Sequence, residues 1–97
     1  MSKLPDYDVL AWLYSNKFGK KLEKEILSSV NNAPYESFES DGVLDIHWGF
    51  DDWEKAVNFS KKLTRFISNP NLIYLKASNS KNRGASIVFK DERMKVD

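Results

Sequence analysis

YESFESDGVLDIHWGFDDWEKA, residues 35–56, holds a turn, an alternating strand and a helix start in succession. Asp41-Gly42 between two alternating segments is a strong hairpin signal. The register follows from which face is apolar. A two-residue turn at Asp41-Gly42 sets Phe38 opposite Asp45 and Ser37 opposite Ile46, which mixes apolar and polar residues on each face. A three-residue loop, Ser40-Asp41-Gly42, with Gly42 left-handed, pairs Phe38 with Leu44 instead. Leu44, Ile46, Trp48 and Phe50 then share one face with Phe38, and the apolar pattern favours this loop. The outer face carries Tyr35, Ser37, Glu39, Val43, Asp45 and His47. Directly after the strand, Asp51 is placed to cap a helix, and Glu54 completes an acidic capping box. Trp53, Ala56, Val57, Ser60, Leu63 and Phe66 or Ile67 form its buried stripe, and Asn69-Pro70 ends it.

Upstream, the chain reads as helical. Pro5 suits a first helical position, and Val9, Leu10, Trp12 and Leu13 follow at helical spacing. The helix either ends at Gly19 or runs on through Leu22, Ile26, Leu27 and Val30 until Asn31-Asn32-Ala33-Pro34 stops it. Downstream, Leu72 to Ala77 and Ala85 to Lys90 read as strands. The expected order is α-β-β-α-β-β. This is an α+β domain with a small antiparallel or mixed four-stranded sheet and helices packed on one face. Trp48, Phe50, Trp53, Val57, Leu63, Ile73, Leu75 and Ile87 are expected to pack between sheet and second helix.

The chain of 97 residues suits one domain, residues 1–97, and its 41% hydrophobic and 30% charged composition is globular. With no cysteine, disulfides, thiolate metal sites and a Cys nucleophile are excluded. Asp6 and Asp8 interrupt the apolar core a signal peptide needs, and no apolar run is long enough for a bilayer. A cytoplasmic protein without membrane contact is expected.

The net charge of +1 hides a division. From Glu25 to Glu54 there are acids and no Lys or Arg; from Lys55 to Lys90 there are bases and no acid. Such asymmetry gives a fold acidic and basic faces that steer partners, unless the blocks mix on folding.

Candidates for chemistry are few. His47 is the only histidine. Ser37, His47 and Asp45 can be drawn as a triad, but an open sheet face excludes no water and offers no oxyanion hole. One histidine and no cysteine build no typical zinc site, and Asp41, Asp45, Asp51 and Asp52 lack calcium-loop spacing. The glycines are too dispersed for a phosphate loop. No catalytic residue, metal or cofactor is therefore expected, and the sequence argues against an enzyme. Nucleic-acid binding has a case in Tyr74 and Phe89 with Lys76, Lys81, Arg83 and Lys90 as a stacking platform. Against it stand the near-zero net charge, the acidic hairpin and the absence of an RNA-recognition signature in GASIVFKDE.

The stretch LDIHWGFDDWEKAVNFSKKL, followed by NPNLIYLKAS and SIVFKDER, resembles bacterial immunity proteins of contact-dependent growth inhibition systems and related polymorphic toxin loci. The resemblance spans residues 33–93 and rests on the strand–acidic cap–helix joint, the Asn-Pro break and the charged tail. It implies a small cytosolic antitoxin that binds and blocks a cognate toxin domain, often a nuclease, without catalysis. Unlike many inhibitors of basic nucleases, this chain is not strongly acidic overall. Tyr35, Glu39, Asp41, Asp45, His47, Asp51 and Asp52 are the expected partner-binding residues, on a protein expected to be monomeric when free. The alternatives are a small nucleic-acid-binding or regulatory module using the basic second half, and a phage-encoded protein inhibitor of another target.

Overall fold

The computed structural model describes residues 5–79 and 86–93. It is an α+β protein, as expected, but with a five-stranded antiparallel sheet. The elements are β1 (Tyr7–Tyr14), α1 (Lys17–Ser29), β2 (Glu36–Ser40), β3 (Val43–Phe50), α2 (Trp53–Leu63), a 3-10 turn (Thr64–Phe66), β4 (Leu72–Asn79) and β5 (Ser86–Asp91).

The main correction lies at the start. Residues 7–14 form no helix; they are the central strand, and the sheet order is β2-β3-β1-β4-β5. Val9, Ala11 and Leu13 alternate as fully buried residues, and Asp8, Leu10 and Trp12 between them are half-buried. Period two therefore wins over the helical spacing. The helix begins only at Lys17, where Asn16 Oδ1 accepts from Gly19 N at 2.7 Å. Gly19 thus sits in the first turn, not at an end. A Cβ there would lie 1.6 Å from the Tyr14 carbonyl oxygen, so glycine permits the close approach of α1 to the end of β1.

The first four strands and both helices follow the split β-α-β arrangement known as ferredoxin-like, with β5 added beside β4. α1 carries the chain from β1 to β2 with β3 between them; α2 carries it from β3 to β4 with β1 between them. Both helices cover one face. Leu22 and Ile26 of α1 and Ala56, Phe59 and Leu63 of α2 share one core with Val9, Ala11, Leu13, Leu44, Ile46, Trp48, Leu72, Leu75 and Ala77.

Most of the expected core is there. Trp48, Leu63 and Leu75 are buried, and Phe50 and Trp53 pack against the core. Ile73 is also buried, Val57 is half-buried, and Ile87 is 38% exposed on the outermost strand and leaves the list. Ile46→Ala and Leu63→Ala are each expected to cost about 2–5 kcal/mol in urea unfolding. Both side chains are 1% exposed, so unchanged midpoints would show that these faces are misassigned.

The hairpin takes the register disfavoured above. Ser40 pairs with Val43, Phe38 with Asp45 and Ser37 with Ile46, around a two-residue turn. Asp41 (φ 53°) and Gly42 (φ 78°) are both left-handed. These are the requirements of a type I′ turn, whose twist matches that of the strands. Phe38 consequently lies outside with Asp45 and His47, and Ser37 and Glu39 face the helix side. The turn prevails because β2 is exposed at every residue, so an apolar face has nothing to enforce there. At the other end of β3 the helix cap is Asp52, not Asp51: Asp52 Oδ2 accepts from Lys55 N at 3.1 Å.

Candidate binding site

Helices cover one face of the sheet; the other carries an organised polar cluster. β1 supplies Asp8 and Trp12, β3 supplies Asp45 and His47, and β2 supplies Glu36 and Phe38. His47 lies between two carboxylates. Its Nδ1 is 3.0 Å from Asp8 Oδ2, and its Nε2 is 2.8 Å from Asp45 Oδ1. The Tyr35 hydroxyl donates to the other Asp8 oxygen at 3.0 Å. The Phe38 ring stacks on the imidazole at 6.3 Å, and Tyr35 leans on it at 6.0 Å.

Two acceptors around one imidazole favour the doubly protonated ring. The hydrogen bond to Asp8 holds the His47 pKa above its usual value, outweighing burial, and the charges of Asp8, Asp45 and Glu36 add to the effect. Asp45 is also raised: burial prevails over the lowering pull of His47 and of the Trp12 indole directly across from it. Asp45 Oδ1 and Trp12 Nε1 are both buried without a well-directed hydrogen bond. The Tyr35 phenol is pushed far up by burial and by its bond to Asp8.

Beside this cluster an open groove of about 840 Å³ runs between the start of β1, the α1–β2 connection and the start of α2. Pro5, Ala33, Tyr35 and Phe50 give it apolar walls; Asp6, Glu36 and Asp51 give it negative charge. The one base among its described lining residues, Lys55, has its Nζ 3.5 Å from Asp51.

Of the residues expected to bind a partner, Tyr35, Asp45 and His47 come together here, and Asp51 lines the groove with Tyr35. The others do not join them. Glu39 points to the helix side, 4.0 Å from Lys20 Nζ. Asp41 is at the turn, the whole length of β3 away, and Asp52 is engaged as the helix cap. Nor is Asp45 a solvated charge, since its side chain is 16% exposed. Asp6, Asp8, Trp12, Glu36 and Phe38 were missed. The helical reading of residues 7–14 removed Asp8 and Trp12 from any sheet face, and the shifted register hid Phe38.

The drawn triad is not assembled, because Ser37 lies on the face away from His47. The stacking platform is not free either. Tyr74 is 4% exposed beneath Arg93, whose guanidinium is 4.0 Å from the ring. Phe89 packs against the core, and Lys90 Nζ donates to the carbonyls of Ile67 and Asn69. Lys81 and Arg83 lie outside the described residues. Among the described residues no group of His, Cys, Asp or Glu is arranged to hold a metal ion, and no helix is long and apolar enough to cross a membrane. Comparison with protein-family models, curated proteins and solved structures yields no match.

Proposed function

We propose that this is a non-catalytic binding protein, an immunity protein that blocks the active site of a toxin domain, with a nuclease of a contact-dependent inhibition system as the expected target. The observation that carries this reading is the acidic groove beside an exposed tyrosine and phenylalanine. Basic nuclease clefts are complementary to such a surface in charge, and aromatic side chains are common anchors of tight interfaces. His47 contributes as a fixed strut: its Nδ1 is hydrogen-bonded to Asp8 and its Nε2 lies 2.8 Å from Asp45. The reading places the protein in the cytoplasm, where a toxin nuclease meets its substrate.

The reading expects a toxin gene directly upstream of this one, and the test uses the C-terminal nuclease domain of that toxin. The wild-type protein is expected to abolish nuclease activity at an equimolar ratio. Asp6→Lys with Glu36→Lys and Asp51→Lys should slow association at least ~10-fold and flatten its salt dependence, because the steering charge is reversed. Asp45 is unsuitable for this experiment because it belongs to the half-buried cluster. Full nuclease activity in the presence of excess protein would sink the reading, and tight RNA or DNA binding by the protein alone would favour the nucleic-acid module.

A further inference from the structure

We infer that β2 pairs with the β2 strand of a second copy of this chain, in antiparallel register centred on Phe38, in place of the monomer expected from the sequence. β2 is an edge strand with every residue exposed. Edge strands are ordinarily blunted by shortness, by charges (Lys above all), by Pro or by a bulge, and of these β2 has only its five-residue length and two acids. Glu36–Ser40 contains neither Lys nor Pro, and its pairing with β3 runs without a shift. The opposite edge differs: β5 carries Lys90, and its register shifts opposite Leu75/Lys76.

The direction of the backbone groups selects the register. Ser40–Val43 closes the two-residue turn and is therefore a hydrogen-bonded pair. Antiparallel pairs alternate, so Phe38–Asp45 and Glu36–His47 are hydrogen-bonded as well. The N–H and C=O groups of Ser37 and Glu39 consequently point out of the sheet. A two-fold axis at Phe38 places Ser37 of each copy opposite Glu39 of the other, and these outward groups satisfy one another. Phe38 meets its own counterpart as the close, non-hydrogen-bonded pair, where aromatic side chains interact best. Glu36 falls opposite Ser40, so no two like charges face directly. Lys20, 4.0 Å from Glu39, offsets the remaining acid on the helix side. The surface is thus self-complementary, as an isologous interface requires. It also presents apolar area: Phe38 is 48% exposed, and Leu27 on neighbouring α1 is 37% exposed.

The dimer uses Phe38, which the toxin-binding reading also uses, but it is tested on the protein alone, so its outcome is read separately from that of the toxin assay. Sedimentation velocity from about 10 µM to 1 mM spans the range of a small interface. The wild type is expected to pass from monomer to dimer. Ser37→Pro removes an outward donor without touching the β3 ladder, and Phe38→Lys puts two cations face to face. Each should raise the dimer dissociation constant at least ~10-fold. Val88→Lys, on β5, should leave it unchanged. Circular dichroism checks the fold of each variant, and Phe38→Lys alone carries the test if the proline is not tolerated. A monomer throughout the range, a dimer indifferent to the β2 changes, or a dimer broken by Val88→Lys overturns the inference.

Discussion

Trp48→Ala is expected to remove about 3–5 kcal/mol of stability. The side chain has no exposed surface and lies at the centre of the shared core. Its ring meets Phe59 at 5.1 Å, and its Nε1 donates to the Asn32 carbonyl at 3.2 Å. Truncation therefore opens a large cavity between sheet and helix, and it also frees the α1–β2 connection. A domain of this size is stable by about 5–15 kcal/mol, so the loss removes a large share of it and should lower the thermal midpoint markedly. Urea unfolding measures the difference. A loss below about 1 kcal/mol would mean that the core closes over the gap, contrary to the packing seen here.

The second large effect belongs to His47. Its folded pKa is raised, so its contribution to stability is complete below the unfolded value of about 6.5. That contribution is lost as pH rises through the folded value. Asp45 acts in the same direction at lower pH, because its raised pKa makes ionisation oppose folding from about 3.8 upward. Asp91 opposes them. Its Arg93 partner lowers its pKa, so its contribution is present above the unfolded value and disappears as pH falls through the folded one. Unfolding free energies should therefore decline from pH 6 to pH 9. His47→Gln should flatten that decline and cost about 1–3 kcal/mol at pH 6, since Asp8 and Asp45 lose the cation between them. The imidazole protons of the single histidine allow direct titration by NMR. A midpoint at or below 6.5 would contradict the clamp.

Several elements could be read from residues alone, and the failures have physical causes. The β3 alternation, with Leu44, Ile46 and Trp48 inward and Asp45 and His47 outward, was legible because one face is buried and the other polar. The second helix was legible from its acidic start and apolar stripe, with its cap displaced by one residue because adjacent aspartates compete for the position. β1 was not. A central strand covered on one face and half-covered on the other becomes an apolar run, and VLAWLY fits a helical spacing as well as an alternating one. Tyr7, Val9, Trp12 and Tyr14 are strong strand formers, and they were the signal to weigh against Pro5. β2 failed for the opposite reason: it is fully exposed, so its side chains carry no register information, and only the Asp-Gly turn does. The binding cluster was half visible for the same two reasons. Its β3 members were found, whereas Asp8 and Phe38 depend on the placement of β1 and β2.

The position of β1 also governs how the molecule must assemble. The first of the described strands lies in the middle, with Tyr7 facing Phe50 on one side and Asn79 on the other. Both of its backbone edges wait for segments made much later, so local pairing cannot complete the sheet. Only the sequence-adjacent pairs, β2–β3 across Asp41-Gly42 and β4–β5, are local enough to form early. Contacts of such long sequence separation slow the search, because loop closure precedes the gain from pairing. During synthesis the apolar strand emerges well before β4, and its protection until then depends on α1 and on the β2–β3 hairpin arriving beside it.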